Sequence, residues 1–291
     1  MPGLDFNALL QAEGIDPRNV VVLRHRPYEP ALRRLFPWLI AERRELFDAY
    51  QRTHGRPVES SVERAAYVAS FFGHEAGKAL FVGLYRVAGQ ARISRDQYWA
   101  MPEHQQLAAL GMVGMNERDA CLLFELESLA AMSEWSGRLV CGWPGLERAW
   151  RRWAGNNVFP VHAIAEENLL VAPMPSWRDL VVDWGQLQVL PSSWRAALRQ
   201  WRGVYYIRDR GSGKGYVGSA CGQENLLGRW LNYAASGHGG NRLLRGLDPD
   251  RFGFSILQLV AQDTAMDEVV ALEQSWKLRL HTREPDGLNR N

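Results

Sequence analysis

The sequence predicts an α+β chain in two parts: a larger mixed α+β N-terminal domain, then a small domain built on an antiparallel hairpin. Three observations carry this. Two β-branched and aromatic runs, Val204-Tyr205-Tyr206-Ile207 and Tyr216-Val217, flank the loop residues Gly211-Ser212-Gly213, which is the pattern of a β-hairpin. A helix, a strand and a second helix follow by periodicity. The first two hundred residues mix strand-like and helical runs without a clear repeat or low-complexity tract. A chain of 291 residues is long enough for two domains.

In chain order, Val20 to Arg24 (VVVLR) predicts a strand, and Leu32 to Gln51 a helix interrupted at Pro37. Ala79 to Val87 (ALFVGLYRV) predicts a strand. Arg118 to Met132 reads as a helix or a long apolar element, because Cys121, Leu122, Phe124, Leu126 and Leu129 fit either period. Leu139–Trp143, Gly145–Trp153 and Val158–Ala163 read as strand, helical turn and strand, with Trp150 and Trp153 on one helical face. Eight of the 12 tryptophans fall between residues 135 and 201. Core packing accounts for most of them; the alternative is an aromatic pocket or stacking platform for a base. Pro191-Ser192-Ser193 opens a helix that hands the chain to the Gly203 strand. The expected division is an N-terminal recognition or regulatory domain at 1–175, a linker and connecting helix at 176–200, and the hairpin domain at 201–291.

Within the hairpin, a loop centred near Arg210-Gly211 sets Tyr205 opposite Tyr216, whereas a centre one residue later breaks that pairing. Glu224 to Tyr233 predicts an amphipathic helix with Leu226, Leu227, Trp230 and Leu231 inward, and it carries Arg229. Phe252 to Val260 predicts a third strand. Met266 to Leu280 predicts a helix, since Val269, Leu272, Trp276 and Leu280 recur at three- and four-residue spacing. Glu273 lies on that same side. A carboxylate there is costly unless paired or metal-bound, so a salt bridge to an arginine and a metal site are the two readings. Asp286-Gly287-Leu288-Asn289 is a turn signal near the chain end.

The ordered set Gly203-Val204-Tyr205, Tyr216-Val217-Gly218, Arg229, His238, Glu273 and Asn289 resembles the GIY-YIG nuclease superfamily over residues 201–291. The resemblance implies a small α/β nuclease domain and phosphodiester hydrolysis. It implies Glu273 as ligand of one divalent cation, Mg2+ or Mn2+, and Arg229 as the phosphate clamp. Tyr205 would position or deprotonate the nucleophilic water, with Tyr216 and His238 orienting water or relaying the proton. Asn289 would brace the site or touch phosphate. Lys214, in the hairpin loop, is a candidate phosphate contact or a solvated loop lysine. Farther upstream, Phe81–Val87, Gly142-Trp143-Pro144-Gly145 and Arg148-Ala149-Trp150 loosely resemble PUA-like barrels of the EVE and SRA-like group.

A hydrophobic content of 46% with 23% charged residues describes a soluble globular protein. No apolar run approaches membrane-spanning length, and the first six residues do not read as a signal peptide. Cys121, Cys141 and Cys221 lack any CxxC or histidine spacing and read as reduced, buried thiols of a cytoplasmic protein. The net charge of +2 does not support strong nonspecific nucleic-acid binding. Only Lys78, Lys214 and Lys277 are lysines; arginine suits bidentate phosphate contacts, though a GC-rich genome produces the same bias. The function these expectations assemble is a metal-dependent DNA endonuclease in restriction or anti-phage defence, with the N-terminal domain selecting the target. The alternatives are a repair nuclease, an inactive nucleic-acid-binding protein, and a protein-binding module that delivers the nuclease. The expected partner is nucleic acid, DNA before RNA. Double-strand cleavage with one site per chain implies a homodimer or two successive nicks.

Overall fold

Asp5 starts the first helix by accepting the Ala8 N–H on its side chain, which satisfies one of the donors a helix N-terminus leaves open. The elements that follow belong to a computed structural model describing residues 3–73, 75–146, 149–171, 173–222 and 224–290. The chain is mixed α+β and divides into two units, residues 1–172 and 173–291.

The first unit contains α1 (Phe6–Ala12), β1 (Val20–His25), α2 (Pro30–Glu42), α3 (Arg44–Gln51), α4 (Arg56–Val62), β2 (Tyr67–Phe72) and β3 (Lys78–Ser94). It continues with α5 (Arg95–Ala100), α6 (Pro102–Ala109), β4 (Ala120–Ser128), β5 (Leu139–Gly142), β6 (Arg151–Trp153) and β7 (Val161–Ile164). Its sheet runs in the order β6-β1-β2-β3-β5-β7, with β4 on the far half of the long β3. β1 is buried at every position, parallel to β2 and antiparallel to β6. Such an inner strand reads as a continuous apolar run, which is how Val20–Leu23 was legible.

Three expectations in this unit are corrected. The helical stretch does not break at Pro37, which lies inside α2; Leu32, Phe36, Leu39 and Ile40 bury one face across it. The break falls at Arg43 (φ −131°, ψ 56°). Arg118–Met132 is neither helix nor ambiguous: Ala120–Ser128 pairs with β3, with Glu125 and Glu127 outward at period two and Glu127 paired with Arg86 across the strands. The segment 145–153 ends in strand β6 rather than a helical turn, so Trp150 and Trp153 share no helical face. Arg148, part of the PUA-like resemblance, lies outside the described residues.

The second unit holds β8 (Val181–Asp183), α7 (Trp184–Gln188), α8 (Ser192–Gln200), β9 (Arg202–Asp209), β10 (Gly215–Ala220), α9 (Asn225–Ser236), β11 (Phe252–Val260) and α10 (Met266–Arg279). The sheet order is β10-β9-β11-β8. Residues 176–200, expected as linker and connecting helix, are therefore structural: β8 pairs with β11, and Leu187 and Leu198 enter the same core as Ile207, Leu227 and Phe254.

The hairpin register is also corrected. Asp209 accepts the Gly211 N–H (3.0 Å), the Ser212 N–H (2.9 Å) and the Ser212 hydroxyl (2.6 Å), folding residues 210–214 into a loop. The midpoint falls one residue later than expected, so Tyr205 lies opposite Gly218 and Tyr216 opposite Ile207. Because side chains alternate, Tyr205 and Tyr216 still share a face, as diagonal neighbours. Gly218 is thereby explained, since a Cβ there would collide with the Tyr205 hydroxyl. Gly218→Ala is expected to cost about 1–3 kcal/mol through overpacking, read as a lowered Tm; an unchanged Tm would contradict this packing.

Candidate active site

Tyr205 is fully buried on β9, and its hydroxyl lies 3.1 Å from the hydroxyl of Tyr233 on α9. Arg229, one turn before Tyr233 on the same helix, donates from Nη2 to the Tyr205 hydroxyl at 3.4 Å. The rings of Tyr205, Tyr216 and Tyr233 form a triangle with centroid separations of 6.2–6.4 Å. Tyr216 is only half-buried and is the outer member. Leu226, Leu227 and Trp230 anchor α9 against the sheet, which fixes where Arg229 and Tyr233 project.

The electrostatics of this cluster are lopsided. Arg229 is half-buried, its Nε is enclosed with no hydrogen-bond partner, and no carboxylate pairs with it among the described residues. The adjacent Tyr205 oxygen, against desolvation, raises its already high pKa. Burial, and then the neighbouring Tyr216, push the Tyr205 hydroxyl above the ordinary phenol range, opposed by Arg229. Burial does the same to Tyr233, aided by Tyr205 and Tyr216. Both buried phenols therefore carry their protons at neutral pH, and the uncompensated charge in the cluster is positive.

Glu273 stands apart from these residues. Its Oε1 pairs with Lys277 Nζ at 2.7 Å, one turn along α10, and its Oε2 accepts the Ser219 hydroxyl. The carboxylate is thus paired, but with a buried lysine rather than the arginine anticipated. Leu280, expected on the inward face of α10, is exposed. Alternation along β10 puts Tyr216 and Gly218 on the Tyr205 face, and Val217 and Ser219 on the face that α10 covers. Glu273 therefore reaches the edge strand from the opposite face to the tyrosines, and no described hydrogen bond joins the two groups.

Asn289 closes the free edge of β10. Its Oδ1 accepts the Val217 N–H at 2.9 Å and its Nδ2 donates to the Val217 carbonyl at 2.8 Å, as a neighbouring strand would. His238 follows Gly237, which ends α9 in the left-handed conformation (φ 76°). Its Nδ1 accepts the Gly240 N–H at 2.9 Å, and the loop lies against Tyr233, whose ring leaves no room for a Cβ at Gly239. Lys214 is exposed and donates to the Pro285 carbonyl at 2.6 Å.

Three residues complete the arrangement that sequence reading missed. Tyr233 and Lys277 each sit four residues after a residue singled out for chemistry, the spacing that places two side chains on one helix face. Ser219 adjoins the second tripeptide, yet nothing in its own neighbourhood marks it.

Among the described residues, no group of three or more His, Cys, Asp or Glu side chains converges to hold a metal. No family model and no curated protein matches this chain. Among solved structures, the catalytic domain of the homing endonuclease I-TevI is similar: it is 25% identical, over 31% of this chain and 98% of its own, with a TM-score of 0.26. No helix among the described residues is long and apolar enough to cross a membrane.

Proposed function

We propose that the second unit is a metal-dependent endonuclease hydrolysing phosphodiester bonds in DNA, and that the first unit selects the target, as in restriction or anti-phage defence. The observation that carries this reading is Arg229. A half-buried guanidinium with an orphaned Nε and no carboxylate partner among the described residues is costly as it stands, and an entering phosphate would supply the charge and the acceptors it lacks.

In this mechanism Arg229 binds the scissile phosphate and neutralises charge developing on its oxygens. Tyr205, protonated and bonded to Tyr233, orients the attacking water through its oxygen; removing its own proton would require a further cation nearby. Tyr216, on the open side, is placed to meet the substrate first. Glu273 is the carboxylate that would hold Mg2+ or Mn2+. Magnesium takes one or two carboxylates and keeps several waters, and a carboxylate has lone pairs beyond the two engaged by Ser219 and Lys277, so the group fits. Because Glu273 reaches β10 from the face opposite the tyrosines, such a cation would supply Lewis-acid stabilisation to a phosphate that spans the β10 edge. A second reading, a nucleic-acid-binding protein without cleavage, is favoured by one fact: Lys277 already neutralises Glu273.

Single-turnover cleavage of supercoiled plasmid tests the tyrosine assignments. Tyr205→Phe and Tyr233→Phe remove only hydroxyls, and Tyr205→Phe is expected to slow cleavage by about 10²-fold. Wild-type turnover in Tyr205→Phe would remove it from the reaction.

A further inference from the structure

Val269 and Lys277 are both buried on α10, and Glu273 lies midway between them at four-residue spacing, so the three share one stripe of the helix. Val269 fills its place with hydrocarbon, as a packed helix face does. The next two turns carry an ion pair instead. A lysine is almost never buried to 3% exposure unless its charge is met. An apolar pair of similar volume commonly packs at least as stably as such an ion pair, so stability alone does not explain a lysine at 277.

What the lysine faces suggests its use. Its Nζ lies 2.7 Å from Glu273 Oε1, while Ser219 donates to Oε2. The one carboxylate assigned to the divalent cation is thus already neutralised. A cation on either oxygen, with a metal–oxygen bond of about 2.1 Å, would stand within roughly 4–6 Å of the ammonium. Like charges that close repel strongly where water is sparse. No larger acidic cluster compensates: among the described residues, no group of three or more His, Cys, Asp or Glu side chains converges. Magnesium sites with few carboxylates are completed by waters and by substrate phosphates. The missing negative charge is the one a nucleic-acid backbone brings.

We propose that Lys277 keeps the Glu273 carboxylate occupied until nucleic acid arrives, so that the divalent cation loads together with the substrate's phosphate rather than before it. This rests on the assignment of Glu273 as the metal ligand. The free protein then holds the cation weakly. The phosphate offsets the charge that cation and ammonium would otherwise accumulate, so metal and nucleic acid bind cooperatively, each tightening the other by the same factor.

Mn2+ binding to the full-length protein, read from the electron paramagnetic resonance of the free ion, tests this without cleavage. The titration is run alone and with oligonucleotides, single-stranded and duplex, whose phosphorothioate backbone keeps its charge and resists hydrolysis. Glu273→Gln, run alongside, reports the Mn2+ held by the oligonucleotides and by other sites. Wild type is expected to bind Mn2+ at Glu273 about tenfold or more tightly with an oligonucleotide than without. Lys277→Met and Lys277→Gln are expected to bind it that tightly alone and to gain little from the oligonucleotide. Lys277→Gln keeps a donor toward Glu273 and guards against a packing defect in Lys277→Met; the wild-type comparison decides even if neither variant folds. A purely structural lysine predicts the reverse, since its loss would loosen α10 and weaken Mn2+ binding. Equal wild-type affinity with and without oligonucleotide, or no tightening in a folded Lys277 variant, would overturn the proposal and leave the metal assignment standing. No Glu273-dependent Mn2+ in any protein, with or without oligonucleotide, would remove the metal assignment and the proposal with it.

Discussion

Replacing Arg229 by methionine is expected to abolish cleavage while leaving the protein at least as stable as wild type. Cleavage should fall by about 10²–10³-fold, the usual cost of losing one donor to developing oxyanion charge. The stability expectation comes from the same observation. Arg229 is half-buried with an orphaned Nε and no carboxylate among the described residues, and a well-packed apolar side chain of similar volume commonly does better than a buried charge. Arg229→Lys should not rescue the rate, because a point charge lacks the planar fork. Plasmid cleavage and Tm measured on the same preparations check both halves. A lower Tm with normal cleavage would assign Arg229 to structure.

Glu273→Gln carries the opposite stability signature. It is expected to lose metal-dependent cleavage by at least about 10²-fold and also to lower Tm. The carboxylate pairs with Lys277, which is 3% exposed, and accepts from Ser219. Glutamine keeps the shape and the Ser219 contact but removes the charge beside a buried ammonium, an expected loss of about 1–3 kcal/mol. Wild-type cleavage with a lowered Tm would make Glu273 a structural partner of Lys277 and remove it as the metal ligand.

The second unit was more legible in the sequence than the first, for physical reasons. Its hairpin, third strand and two helices have clean periods, and each functional position sits at a fixed place in them. The register was misread because the loop depends on Asp209 binding three donors ahead of it, which spacing alone does not reveal. β8 was missed because a three-residue edge strand carries almost no pattern. In the first unit, β4 was ambiguous because Cys121, Leu122, Phe124, Leu126 and Leu129 fit both periods; only Glu125 and Glu127 betray the strand. At the site, the tyrosines and Arg229 come together because three elements point inward at one face. The placement of Glu273 beyond β10 follows from helix docking, which no local motif records.

The most direct measurement is single-turnover cleavage of supercoiled DNA by the full-length protein in Mg2+, Mn2+ and EDTA, alongside Arg229→Met. Metal-dependent nicking or linearisation that EDTA abolishes, and that falls by about 10²-fold or more in the variant, is the expected result. Cleavage of equal rate in both proteins, or none by the wild type in either metal on single-stranded, duplex and branched DNA, would contradict an active site built on Arg229.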